Sequence, residues 1–392
     1  MLPLAGVRVV EFASNVAGPY AGLVLQDLGA EVLKVERPGS GDVVRGWPPF
    51  SRTQVSAPFT AINRGKKSIV LDLKSGQGRE LLHTLLADAD VFISSLRPGK
   101  AADLSVDATT LRSTHPRLVV SEISGYGPRG PLGGEPGYDA ILQAFSGIMD
   151  VTGHPDGPPA RVGTAMLDFG TGMWAAMGAV AALFQRSDSG TGASVQASLL
   201  GTASGFLMHH IASVTMADVH PARIGTAQHN SAPYEALTAA DGQVMVGVTS
   251  VELWRSLCSA LGRTDLIDDP RFATNETRVA NRGELVTALN DALTGRDAES
   301  VVKDLKSAGV PASVIRTVGD LAHDEQAIEA GYLQKTADGS RLATSPVIID
   351  DRLAELDTQR APHLGEHTEE ILRMIGKRPD EIGELRSNGI IA

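Results

Sequence analysis

Between residues 7 and 36 the chain reads strand, helix, strand, and strands joined through a single helix pair in parallel. Val7–Phe12 is a β-branched apolar run. After a break at Ala17-Gly18-Pro19, Tyr20–Leu28 shows helical apolar spacing and is stopped by Gly29. Glu31–Glu36 (EVLKVE) then alternates as a strand does. The alternation goes on with strand-like Ser68–Leu73, helical Gln77–Ala87, and strand-like Val91–Ser94 and Leu118–Ile123. Repeated βα units predict an α/β fold, a Rossmann-like doubly wound domain built on a parallel sheet. Ligands of such sheets bind beyond the carboxyl ends of the strands.

From Tyr138 onward the pattern turns helical, with Tyr138–Ile148 and Gly172–Gln185 rich in small apolar residues. Val195–Leu200 reads as a strand and Leu200–Thr215 as a helix. An aperiodic stretch from Ala217 to Tyr234 marks a domain boundary. Beyond it, strand Val244–Thr249 and helices at Leu253–Leu261, Glu284–Leu293 and Ala298–Ala308 suggest a small α+β domain. A strand at Val347–Ile349 and a helix at Thr368–Ile375 complete the reading.

The chain has 392 residues, enough for two or three domains of ~150 each and for a core that needs no staple. One cysteine, Cys258, excludes an internal disulfide framework and Cys-ligated metal clusters. No apolar run reaches the ~20 residues of a membrane span, and the opening MLPLAGVRVVEF carries no basic leader. A cytoplasmic protein that spans no membrane is therefore expected. The net charge of -11 argues against a nucleic-acid partner. The 42 glycines, about 11% against a usual ~7%, point to tight turns and close backbone approaches.

Several motif-like strings carry no chemistry. His363-Leu-Gly-Glu-His367 matches a zinc-protease pattern by letter, but Pro362 and Gly365 interrupt the helix it needs, so no metal is expected. Asp168-Phe169-Gly170 lacks the other kinase signatures. The first βα turn is not G-x-G-x-x-G, and no G-x-S-x-G elbow occurs. What remains is a set of basic, glycine-rich turns, read as lying at the carboxyl ends of the predicted strands. They are Arg37-Pro-Gly-Ser-Gly-Asp42, Asn63-Arg-Gly-Lys66-Lys67 and Arg97-Pro-Gly-Lys100. Singly each reads as a solvated loop; together they suit a phosphate-rich, nucleotide-containing ligand. Asp168 stands before an apolar helix and beside Gly170 and Gly172. It reads either as an N-cap or as a carboxylate nucleophile, framed by glycine amides that face an oxyanion and kept ionised by the helix dipole.

These segments give the chain its resemblance to the class III CoA-transferases, the family of formyl-CoA, carnitine-CoA and succinyl-CoA-type enzymes. The likeness spans nearly the whole sequence. It is densest in LAGVRVVEFASNVAGPYAGLVLQDLGAEVLKVERPGSGD, NRGKKSIVLDLKSGQGRELLHTLLADADVFISSLRPG, SGYGPRGP, GYDAILQAFSGIMDVTG and the terminal LGEHTEEIL. The resemblance implies that Asp168 is catalytic, attacking a donor thioester and passing through aspartyl anhydride and aspartyl-CoA stages before CoA reaches an acceptor carboxylic acid. Acyl-CoA is then a substrate, with no tightly bound cofactor.

CoA contacts carry over to Val16, Arg37, Asn63, Lys66, Lys67, Arg97 and Lys100. Trp47, Tyr138, Gln143, Gly170 and Gly172 are placed at the substrate pocket. The resemblance also implies an interlocked-ring homodimer. Residues 1–216 and the return segment 322–392 would form the large domain, and 217–321 the small one. Oxalate/formate members carry a glutamine where this chain has Val16, and a glycine run where Gln228–Ala232 stands here. Oxalate is thereby disfavoured, and the apolar Val16 suits a larger or less polar acyl group. An α-methylacyl-CoA racemase of the same fold is the alternative. Such racemases pair the aspartate with a histidine, and Tyr138 occupies that place. A CoA-binding protein without turnover is a further alternative.

Overall fold

The computed structural model describes residues 2–51, 54–336, 339–356 and 359–392. The chain divides into two compact units. Met1–Ile148, Arg161–Val219 and Asp324–Ala392 make up the first; Met149–Ala160 and His220–His323 the second. The segment Met149–Ala160, expected in the large domain, thus belongs to the small unit.

The first unit is built on strands β1 (Arg8–Phe12), β2 (Glu31–Glu36), β3 (Lys67–Val70), β4 (Val91–Ser94), β5 (Val119–Ser124) and β6 (Ser194–Ser198). They form one sheet in the order β3-β2-β1-β4-β5-β6, with every adjacent pair parallel. The chain works outward from β1 in one direction and then from β4 in the other. Loops leaving β1 and β4 therefore diverge and leave a crevice at the carboxyl edge of the sheet. The near-continuous apolar residues of β1 and β4 follow from burial of both sheet faces.

Helices α1 (Ala17–Asp27), α2 (Ala57–Asn63), α3 (Gly76–Leu86), α4 (Pro98–Asp103) and α5 (Ala108–Thr114) connect the strands up to β5. After β5 come α6 (Asp139–Ser146), α7 (Ile148–Val151), α8 (Met166–Ser189), α9 (Leu199–Phe206) and α10 (Met208–Ala217). Helix α8 is one unbroken element, not the shorter Gly172–Gln185 of the sequence reading. By length and composition it is long and apolar enough to cross a membrane. In the fold its small-residue face (Gly172, Ala175, Ala179) packs in the core with Ala17, Ala21 and Leu25 of α1. Added as a side chain, a Cβ at Gly172 would lie 2.6 Å from the Ala17 carbonyl, so glycine here serves close helix packing. The expected helix Leu200–Thr215 is two helices meeting at Leu207.

The second unit holds an antiparallel sheet of β7 (Tyr234–Thr238), β8 (Gln243–Gly247) and β9 (Ala312–Val314). Helices α11 (Val251–Ala260), α12 (Asn275–Ala280), α13 (Arg282–Leu293) and α14 (Ala298–Ser307), followed by α15 (Val318–Leu321), accompany it. Trp254, Leu257, Leu285, Leu289, Val301 and Leu305 form its core.

The chain then returns to the first unit through α16 (Glu325–Glu329), the hairpin β10 (Leu333–Lys335) and β11 (Arg341–Ala343), α17 (Thr368–Met374) and α18 (Pro379–Ser387). Val347–Ile349, expected as a strand, is half exposed and makes only an isolated bridge, Ile349 to Arg352. The return is firmly held. Arg64 pairs bidentately with Asp27 at 2.7 Å, both buried, and also donates to the Ala343 carbonyl and Gln359. Val70 N–H donates to Thr368 Oγ1 at 3.1 Å and Asp72 N–H to the Ile390 carbonyl at 2.8 Å. Ile371, Leu372, Ile382, Leu385, Ile390 and Ile391 close the core over β3 and α3.

Candidate active site

Below the β1–α1 turn lies a buried set of charges. Lys34 Nζ is 2.7 Å from Glu11 and 2.9 Å from Asp42; Lys66 Nζ is 2.7 Å from the other Glu11 oxygen. Lys66 also donates to the Pro19 carbonyl and to Asn63 Oδ1. Gly22 makes room for this cluster, since a Cβ there would lie 2.2 Å from Glu11 Oε2. Burial, joined by the charge of Lys34 and partly offset by Glu11, pulls Lys66 down to about 8. Every charge is paired, as burial requires. The cluster shapes the turn above it: Asp42 Oδ1 accepts from the N–H of Asn15, whose φ of 67° is left-handed, and Ser14 N–H donates to Ser95 Oγ.

That turn opens onto a cavity of about 410 Å3 at the carboxyl edge of the sheet. Val16, Trp47, Arg97, Tyr138 and Asp168 all line it, five of the residues expected there. Arg37 lines a smaller adjoining recess of about 130 Å3, which shares Ser14, Ser95 and Leu96 with the first. Its Nε is held by Ser40 and the Gly41 carbonyl within its own turn.

Other expected contacts lie elsewhere. Asn63 and Lys66 precede β3 and Lys67 opens it, so this turn, expected at a carboxyl end, lies at the amino end of the strand. Asn63 and Lys66 are consumed by the buried cluster, and exposed Lys67 pairs with Glu370 at 3.0 Å. Lys100 is exposed and lies 3.4 Å from Asp103. Gly170 and Gly172 sit inside α8, where interior N–H groups donate within the helix and cannot serve an oxyanion. A Cβ at Gly170 would meet Phe206 at 2.7 Å, again a packing constraint. Gln143 is fully buried behind the cavity wall.

Asp168 is the third residue of α8 and not its N-cap, which is Ala165. Ala165 offers no capping side chain, and the cap comes from another helix. Asp139 Oδ2 accepts from the N–H groups of Leu167 (2.8 Å) and Asp168 (3.3 Å). Gln143 Nε2 donates to Asp139 Oδ1 at 2.6 Å, and Gln143 Oε1 accepts from Val162 N–H at 2.9 Å. Phe169 packs edge-on against Tyr20, which accounts for the middle letter of Asp-Phe-Gly. Burial, then the nearby Asp139 carboxylate, push Asp168 up to about 7. The sequence expectation of a helix dipole keeping it ionised is thus outweighed by desolvation and a like charge.

Asp139 and Arg161, both at the cavity, were missed by the sequence reading. The only sequence sign of Asp139 is an acid in the first turn of α6. His363, Glu366 and His367 form a turn before α17, with Glu366 paired to Arg360 and accepting from His363 N–H. Among the described residues, no three His, Cys, Asp or Glu side chains are grouped to hold a metal ion.

The profile of CoA-transferase family III matches residues 4–368. The chain belongs to CoA-transferase family III. A succinyl-CoA:glutarate CoA-transferase of Mus musculus is 35% identical to this family III chain, covering 100% of it and 91% of the relative. An acetyl-CoA:oxalate CoA-transferase of Acetobacter aceti is also 35% identical and covers 93% of each. Among solved structures, a CAIB/BAIF family protein from Brucella suis superimposes with a TM-score of 0.86 at 35% identity, covering 95% of this chain and 99% of that one. As a class III CoA-transferase, this chain has a family that works on CoA thioesters.

Proposed function

We propose that the chain moves CoA from a donor acyl-CoA to an acceptor carboxylic acid through covalent intermediates on Asp168. The observation that carries this reading is a half-buried carboxylate on the wall of the 410 Å3 cavity at the sheet's carboxyl edge, its backbone fixed by Asp139. Ionised Asp168 attacks the thioester carbonyl; the C–S bond breaks, CoA thiolate leaves and a mixed anhydride forms. The thiolate attacks the aspartyl carbonyl, releasing the donor acid and giving an aspartyl-CoA thioester. The acceptor carboxylate attacks that thioester, regenerating thiolate and a second anhydride. Thiolate attack on the acceptor carbonyl then yields the new acyl-CoA and frees Asp168. An anhydride keeps the acyl group activated throughout, which a seryl ester would not, and partial burial limits its loss to water.

The mouse relative's succinyl-CoA and glutarate make short acids with a second carboxylate the first to assay; oxalate, disfavoured on Val16 but named for the Acetobacter relative, is the acceptor to compare with them. The active form in this reading is a homodimer of interlocked chains. Its support is an exposed apolar stripe on α8 (Met173, Trp174, Met177, Phe184), joined by Ile141 and Phe145 of α6 and by Met208 and Ile211 of α10. Large apolar side chains exposed along one helix face are a mark of an interaction surface.

Hydroxylamine trapping during turnover, followed by peptide mass analysis, tests the chemistry. The expected product is a modified Asp168. An unmodified Asp168 with acceptor-independent α-proton exchange in deuterated water would establish the racemase, and CoA binding without either reaction a binding protein.

A further inference from the structure

We propose that Arg161 selects acids bearing a second carboxylate, its guanidinium taking the distal carboxylate of the acyl group while Asp168 holds the reacting end. This rests on the reading of Asp168 as the acyl acceptor. Both residues line the same cavity. Both are tied to one buried frame: Gln143 holds the backbone at Val162, next to Arg161, and Asp139 holds it at Leu167 and Asp168. The hydrogen bond between Gln143 and Asp139 joins the two ends of that frame. The backbone next to Arg161 and the backbone of Asp168, seven positions apart in sequence, are therefore held by the same pair of side chains.

The Arg161 side chain is oriented but not satisfied. Its Nε donates to the Val162 carbonyl at 3.1 Å. Its terminal nitrogens have no hydrogen bond or ion pair among the described residues, which leaves the forked end that matches a carboxylate. Nor does Arg161 neutralise Asp168, whose upward shift comes from burial and Asp139 with no opposing cation. A dicarboxylic acyl group brings its second negative charge into a cavity already lined by Glu135, Asp139 and Asp168. The other arginine there, Arg97, follows β4 in the turn assigned to CoA. Arg161 is the cation left to balance the acyl group.

The test compares kcat/KM for CoA transfer from succinyl-CoA and from butyryl-CoA, which lacks the distal carboxylate. Arg161→Gln is expected to lower succinyl-CoA transfer by roughly 10–100-fold, the range of a charge-assisted pair, and to leave butyryl-CoA transfer close to the parent's. Arg161→Lys should restore part of the succinyl-CoA rate, since the charge returns without the fork. An equal fall for both donors, or no fall, overturns the proposal. So does a parent enzyme with no preference for succinyl-CoA, a readout that needs no variant to fold. Hydroxylamine trapping on the parent separates the two readings. Asp168 labelled by both donors, without discrimination through Arg161, defeats only the specificity role. Asp168 labelled by neither donor defeats the acyl-acceptor reading, and the Arg161 role with it.

Discussion

Asp168 has to be ionised to attack a thioester, and the fold makes that state costly. Burial and Asp139 raise its carboxyl from 3.8 to about 7. The transfer rate, kcat/KM, should therefore rise with pH along a single-ionisation limb centred near 7 in a pH–rate profile. Asp139→Asn removes the like charge and should move that limb to lower pH, a displacement that loss of the helix cap alone would not cause. Stability carries the opposite sign. A carboxyl with a raised folded value binds its proton more tightly in the folded chain, so its penalty is absent below the unfolded value and accumulates as pH rises towards about 7. Asp168→Asn should thus unfold at a higher temperature than the parent at pH 8, with the gain shrinking towards pH 5; equal gains at both would contradict it. In the sequence, Asp168 stood out, as N-cap or nucleophile, through the glycines and the apolar helix beside it, and the structure gives those glycines a packing role instead. Asp139 did not stand out, because it acts through backbone N–H groups about 28 positions away, which no local pattern records.

At the scale of elements, the parallel sheet was legible because burial of both faces leaves compact β-branched runs. Helix α8 was misread because Gly170 and Gly172 look like breakers. Their reason lies on other helices, at Phe206 and at the Ala17 carbonyl. Gly172→Val should force α1 and α8 apart and cost about 1–3 kcal/mol, read as a lower melting temperature. A variant as stable as the parent would show that the two helices can separate freely. The basic turns illustrate the reverse error. Lys66 and Lys67 resemble Arg37 and Arg97 as letters, yet they enter a strand where the arginines leave one. Only the direction of the chain through the sheet, and the buried partner Glu11, separates the two pairs.

For the whole molecule, the exposed face of α8 bears on assembly. Analytical ultracentrifugation should give twice the 41.1 kDa chain mass at all practical concentrations, and Phe184→Asp should shift the population towards single chains. A parent that sediments as one chain would refute the dimer. The two-unit organisation was visible as an aperiodic stretch near residue 217. The capture of Met149–Ala160 by the small unit was not, since its contacts are distant in sequence. The return segment also sets a timetable for synthesis. Val70 meets its partner Thr368 only after 298 further residues have been added. At ~5–20 residues per second that is a wait of roughly 15–60 s, far longer than hydrophobic collapse takes. Throughout it, the apolar side of β3 and α3 stands uncovered beside the ribosome, where a chaperone or a second nascent copy can reach it before the chain's own tail does.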